Sequence, residues 1–182
     1  MKTIIKPNYS ICIQCLGCYN SSFLNFRWIN ILNDNLEQEI DQLKKSCRCV
    51  FYPCDEIEIA DYENVPSTFS LNEYEDLKDF LKALNDQGHD ENDVRMIFNY
   101  LDENMGQSIT DVNPKYIEFE TTDNLSDWAY DMAIDVYCYD EKTLNGVISI
   151  DWEYTAKNII NENYYEHYDN ISHQYYLFPI KQ

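Results

Sequence analysis

The stretch Glu56-Ile57-Glu58-Ile59-Ala60 alternates charged and apolar side chains with a period of two. On a β-strand successive side chains point to opposite faces, so this segment predicts a strand with one apolar face and one charged face. Such a strand needs partners, and two upstream runs supply them: Ile11 to Cys15 and Phe26 to Ile31 both read as strands. A helix is predicted between the second and third strands. Asn33 or Asp34 marks its start, Leu36, Ile40 and Leu43 recur at i, i+4 and i+7, and Lys44 and Lys45 complement its C-terminal dipole. Residues 1–65 thus read as a small α+β module with an antiparallel sheet.

Downstream the period changes to that of a helix. Leu77, Phe80, Leu81 and Leu84 form one apolar stripe, with Gly88 placed to end the helix in a left-handed conformation. Asp90 is the candidate N-cap of a second helix, with the stripe Val94, Ile97, Phe98 and Leu101 and with Gly106 beyond its end. Residues 66–108 are expected to form a central helical module. Pro114 and a strand-like run from Tyr116 to Phe119 open a third module, residues 109–182. It continues through a helix from about Asn124, another from about Asp151, and a final aromatic-rich strand from Ser172 to Ile180. Tyr164, Tyr165, Tyr168, Tyr175 and Tyr176 are expected to pack in core and sheet. The fold class is α+β, in three small modules.

The 182 residues carry 33 acidic and 13 basic side chains, a formal charge of −20. Residues 1–48 hold 4 acids and 6 bases, residues 49–156 hold 26 and 5, and residues 157–182 hold 3 and 2. All of the acidic excess therefore lies in one central stretch, whereas acidity kept for solubility would be spread over the whole chain. Charge of this sign repels phosphates and anionic lipid head groups, so direct nucleic-acid or membrane binding is disfavoured and a basic partner is expected. No apolar run is long enough to span a bilayer, and Met1 to Ser10 lacks the apolar centre of a signal peptide, so a soluble, cytoplasmic protein is expected.

Signals for chemistry are weak. His89, His167 and His173 are isolated, there is no phosphate loop or nucleophile elbow, and four glycines are too few for loops that cradle phosphates. No catalytic residue and no cofactor are expected. Cys12, Cys15 and Cys18 form C-x2-C-x2-C, and Cys47, Cys49 and Cys54 follow about thirty residues later. The spacing is compatible with zinc or iron–sulfur ligation, but there is no second C-x2-C pair. Reduced structural thiols and no metal are the expectation, with Cys12 acting as a small apolar side chain in the first strand.

The helix after Asn124 has an unusual polar face. Leu125, Trp128, Ala129, Met132, Ala133 and Val136 make an inward stripe, and Asp123, Asp127, Asp131 and Asp135 stand opposite at four-residue intervals. Four residues of helix rise roughly 6 Å, so these carboxylates form a slowly drifting column whose spacing is of the order of that between phosphates along one nucleic-acid strand. Each like-charged i,i+4 pair costs about 0.2–0.5 kcal/mol. A sequence shaped for stability alone would interleave cations.

Three blocks carry a family resemblance. Cys18-Tyr19-Asn20-Ser21-Ser22-Phe23-Leu24-Asn25-Phe26-Arg27-Trp28-Ile29 resembles the N-terminal "DYNxGxLxGxWI" region of the ArdA antirestriction proteins. Glu58-Ile59-Ala60-Asp61-Tyr62-Glu63-Asn64-Val65-Pro66, followed by Leu71-Asn72-Glu73-Tyr74, is similar to their "IxDYExFP...EY" stretch. Ile150-Asp151-Trp152-Glu153-Tyr154-Thr155-Ala156 resembles their "YIDYExxA" helix. Ser22 and Phe26 stand where the family has glycines, which implies different local turns. Cys15 and Cys18 also depart from the family pattern.

The resemblance implies an elongated chain of three modules, a homodimer, and an inhibitor without catalysis that imitates bent B-form DNA in the groove of type I restriction-modification enzymes. The partner implied is the methyltransferase core. At one charge per roughly 1.7 Å of duplex, a dimer's carboxylates match roughly 110 Å of DNA. The expected partner-binding carboxylates are Glu56, Glu58, Asp61, Glu63, Glu73, Asp76, Asp123, Asp127, Asp131 and Asp135. An alternative of another class is an acidic adaptor or chaperone-like module that binds a basic protein outside any DNA groove.

Overall fold

The computed structural model describes residues 9–48, 54–66, 69–105, 109–138 and 150–180. It is mixed α+β and divides into two compact units, Met1–Lys115 and Tyr116–Gln182. The expected module boundary after residue 65 falls inside the first unit, and the one after residue 108 lies close to the division between units. Among the described residues no helix is long and apolar enough to cross a membrane.

The first unit is built on a three-stranded antiparallel sheet of order β2-β1-β3, with β1 at Ser10–Cys15, β2 at Phe26–Asn30 and β3 at Ile57–Glu63. A short helix α1, Leu16–Asn20, follows β1 directly, and α2, Leu36–Lys45, lies between β2 and β3. Ile11, Ile13, Ile29 and Leu43 are fully buried and form the core of this region. The start of α2 differs from expectation. Asp34 closes the preceding turn by accepting from the Asn30 amide at 2.7 Å, so Asn35 becomes the N-cap and accepts from the Gln38 amide at 3.0 Å.

Helices α3, Tyr74–Asp86, and α4, Glu91–Tyr100, follow. The predicted stripes are buried on both, and Phe80 stacks on Phe98 with ring centroids 6.1 Å apart. At the end of α3, Gly88 sits at φ 87°, and the Gly88 and His89 amides donate to Asn85 and Leu84 carbonyls. This is a Schellman closure. Asp90 caps α4 with a capping box to Asp93. The helices are tied to the sheet region: Tyr74 Oη donates to the Ile31 and Asp34 carbonyls, and Lys78 Nζ donates to the Asp34 carbonyl at 2.9 Å. Helix α1 ends in the same closure as α3, with Ser22 and Phe23 amides donating to Tyr19 and Cys18. Ser22 adopts φ 60°, so the turn is kept in left-handed form although no glycine stands there. The expected helix end at Gly106 and the position of Cys49 lie outside the described residues.

The second unit holds a sheet of order β4-β6-β5, with β4 at Glu120–Thr122, β5 at Tyr164–Asp169 and β6 at Gln174–Pro179, and two helices, α5 at Leu125–Asp135 and α6 at Trp152–Asn163. Trp128, Ala129, Ala156, Ile160 and Leu177 form the core. The strand expected at Tyr116–Phe119 is displaced. Pro114–Tyr116 is a single 3-10 turn, pairing with β6 starts only at Glu120, and the Phe119 ring packs on Tyr176 and Phe178. Val136 is also not inward: α5 stops at Asp135, and Val136 is 59% exposed at its C-cap. Strand β5 was not anticipated. Its turn to β6 is closed by buried Asp169, which accepts from the Ile171 and Ser172 amides and the Ser172 hydroxyl. The tyrosines divide accordingly, Tyr176 being buried and Tyr168 exposed.

Candidate partner-binding surface

In the first unit the carboxylates are gathered by a β-bulge. Cys12 pairs with Asp61 but Ile13 pairs with Ile59, so Ala60 is an extra residue in β3. Strict alternation would have put Asp61 and Glu63 on the face of Ile57 and Ile59. The bulge reverses the phase, turning Tyr62 inward opposite Ile11 and Asp61 and Glu63 outward opposite Cys12 and Ser10. Glu58 shares that outward face, paired with Gln14, and Glu56 stands exposed just ahead of the strand. Exposed Phe26 and Trp28 of β2 lie on the same face, in register with Gln14 and Cys12.

Not all ten expected residues are equally available. Glu58 is half-buried and accepts from Gln14 Nε2 at 2.6 Å. Glu73 is half-buried and serves a capping box, accepting from the Ser70 amide at 3.1 Å and its hydroxyl at 2.7 Å. A local structural role accounts for Glu73. Asp76 is exposed in the first turn of α3. Glu75, Asp79 and Asp86 are exposed on the same helix, although Asp79 pairs with Lys82 at 2.9 Å. Those three were absent from the expected set, and their 3.6-residue spacing opposite Leu77, Phe80, Leu81 and Leu84 was the signal that would have found them.

In the second unit Asp123, Asp127, Asp131 and Asp135 are all exposed. Asp123 lies ahead of the N-cap, Asn124, and the other three lie on α5 opposite buried Trp128, Ala129 and Ala133. Asn124 caps the helix through its Oδ1, and its Nδ2 donates to Asp127 at 2.9 Å. The helix is held by Trp128, whose Nε1 donates to Glu120 at 2.7 Å and whose ring meets Tyr164 edge-on at 5.5 Å. Burial, and then Glu120, push the Tyr164 hydroxyl up from its ordinary pKa.

Among the histidine contacts, His89 faces Asp93 at 3.5 Å, His167 meets the Phe178 ring and His173 meets Tyr168. Of the cysteines, Cys12 is buried on the outward sheet face, where burial and then Asp61 raise its pKa and keep it a neutral thiol. Cys15, Cys18, Cys47 and Cys54 converge elsewhere in the first unit.

No curated protein matches the chain at a significant level. The family model described as antirestriction protein (ArdA) matches residues 11–172. That span includes nearly all of the first sheet, strands β4 and β5 of the second, all six described helices and every carboxylate of the acidic surfaces, and stops before β6. The chain therefore belongs to the ArdA antirestriction protein family, whose members are inhibitors directed against type I restriction systems.

Proposed function

We propose that this protein inhibits type I restriction-modification enzymes by imitating B-form DNA and competing with it for the DNA-binding groove of the methyltransferase core. The observation that carries the reading is the confinement of the acidic excess to residues 49–156 together with the exposure, among the described residues, of most of its carboxylates. Asp61 and Glu63 turn outward only because of the bulge, and the α5 column stands opposite the buried face. Lysine and arginine side chains that grip phosphates would meet Glu56, Glu58, Asp61, Glu63, Asp76, Asp123, Asp127, Asp131 and Asp135 instead. Such fields steer fast association at low ionic strength and distribute the energy over many small contacts. The working form is a cytoplasmic homodimer, and the protein binds no nucleic acid itself.

The test is a competition titration of purified type I methyltransferase with labelled duplex DNA and this protein. DNA should be displaced with one-site competition, and apparent affinity should fall as salt is raised from 50 to 200 mM, over which the Debye length shortens about twofold. A tight complex that leaves DNA affinity untouched would refute groove occupation and favour the adaptor reading.

A further inference from the structure

Four cysteines from four separate segments meet in the first unit. Cys15 ends β1, Cys18 lies in α1, Cys47 follows the last turn of α2 and Cys54 lies in the turn before β3. Their four Sγ atoms all lie within 4.8 Å of one another. Zinc–thiolate bonds of about 2.3 Å arranged as a tetrahedron place the sulfurs about 3.8 Å apart, so a small contraction of this cluster closes around a single ion. None of the four is in a disulfide. Cys15 and Cys18 are fully buried, and Cys47 and Cys54 are half-buried.

The surroundings are suited to thiolates. Asn25 Nδ2 lies 3.2 Å from Cys47 Sγ and 3.9 Å from Cys18 Sγ, and donates to the Leu43 carbonyl at 3.1 Å. The Ser46 hydroxyl donates to Asn25 Oδ1 at 2.9 Å, which fixes the orientation of the amide. Donors held in this way to ligand sulfurs are the usual outer shell of a metal–thiolate centre. Lys44, Lys45 and Arg48 stand exposed around the end of α2, and residues 1–48 are the one stretch of the chain with a basic excess, of two. One zinc with four thiolates carries a charge of −2, and the cations Lys44, Lys45 and Arg48 flank Cys47 in the sequence.

The helix between the first two of these cysteines is short. Helix α1 has five residues, no side-chain cap and a left-handed serine at its end, far below the roughly 12 residues at which an isolated helix becomes marginal. Cys15 and Cys18 at its start and middle would anchor it.

We propose that Cys15, Cys18, Cys47 and Cys54 bind one zinc ion as a closed structural site that fastens β1 and α1 to the end of α2 and the start of β3. Zinc is the ion favoured by four thiolates in tetrahedral array, and a site with no open position has no catalytic role. This departs from the reduced-thiol expectation of the sequence, and it selects Cys15 and Cys18 from the C-x2-C-x2-C run while leaving Cys12 out. The sequence obscured the site because its second pair is spaced C-x6-C, with Cys49 between.

The full chain purified under reducing conditions without chelator should contain one zinc per chain by elemental analysis. Replacement by Co2+ should produce thiolate-to-cobalt charge-transfer bands and the intense visible bands of a tetrahedral site, a readout that needs no variant to fold. Cys12→Ser should keep one zinc, whereas Cys18→Ser and Cys54→Ser should lose it, and Cys54→His should keep it with a shifted cobalt spectrum. Absence of metal after zinc reconstitution, iron in place of zinc, two disulfides by mass, or loss of zinc in Cys12→Ser would each overturn the assignment. All these readouts are independent of DNA competition.

Discussion

The aspartate column of α5 makes a prediction in which position along the helix decides the sign. Asp127, in the first turn, sits at the positive end of the helix dipole and accepts from Asn124 Nδ2. Its dipole interaction is worth about 0.3–1 kcal/mol, which offsets about 0.2–0.5 kcal/mol of repulsion from Asp131. Asp127→Asn should therefore change stability by between about 0.8 kcal/mol of loss and about 0.2 kcal/mol of gain. Asp131, in mid-helix, repels both neighbours, and Asp131→Asn should stabilise by about 0.4–1 kcal/mol. Asp135 is the last helical residue, opposed by the dipole and by Asp131. Asp135→Asn should gain about 0.5–1.5 kcal/mol. Urea unfolding monitored by tryptophan fluorescence measures these differences, because Trp128 is buried on the same helix. The order of stability should be Asp135→Asn at least equal to Asp131→Asn, and both above Asp127→Asn. Each substitution should at the same time weaken competition with DNA by between about 1.4- and 5-fold at low salt, the range for a solvent-exposed charge pair, and the effect should shrink at high salt. If Asp131→Asn and Asp135→Asn destabilise the protein, or if inhibition per folded molecule is unchanged in the triple variant, the column is structural and its part in mimicry fails.

Three further outcomes follow from the geometry. Ser22→Gly should raise stability by about 0.5–1 kcal/mol in chemical denaturation, since Ser22 is held at φ 60° at a helix end where α3 uses Gly88; the relieved left-handed strain exceeds the extra entropy of an unfolded glycine. Tyr9 Oη is buried and finds no hydrogen-bond partner among the described residues, so Tyr9→Phe should stabilise by about 1 kcal/mol in the same assay, and a loss of stability would show that the hydroxyl is satisfied in solution. Burial, and then Glu91, Asp90 and Asp93, push the Tyr9 hydroxyl pKa up, and burial followed by Asp34, Glu75 and Glu39 does the same for Tyr74. Both stay protonated in the fold while the unfolded chain ionises, so their contribution is complete below pH 10 and declines above it by about 1.4 kcal/mol per pH unit for each tyrosine. Titrating stability from pH 9 to 11 should show this loss, to which Tyr62 and Tyr164, also raised by burial, add, and Tyr9→Phe should remove one tyrosine's share of it.

Much of the local structure was legible in the residues because it depends on neighbours in the chain. The stripes Leu77, Phe80, Leu81, Leu84 and Val94, Ile97, Phe98, Leu101, the cap at Asp90 and the left-handed stop at Gly88 are short-range patterns, and each appears as read, while the period-two run at Glu56 to Ala60 is strand from Ile57 and continues to Glu63. The concentration of acid between residues 49 and 156 is a property of composition and needs no fold. What depended on distant pairing was not legible. Ala60 becomes a bulge only because β1 lies beside β3, and that one extra residue decides which face Asp61 and Glu63 occupy. Glu120, not Tyr116, begins β4 because Leu177 of β6 sets the register. Asp34 loses the cap of α2 to Asn35 because the turn before the helix claims its carboxylate. Cys15, Cys18, Cys47 and Cys54 are separated along the chain by up to 39 residues, yet sheet pairing and the packing of α2 bring their sulfurs within 4.8 Å. Local periodicity determines which elements form, whereas register and convergence of side chains are long-range contacts, and only the tertiary structure decides those.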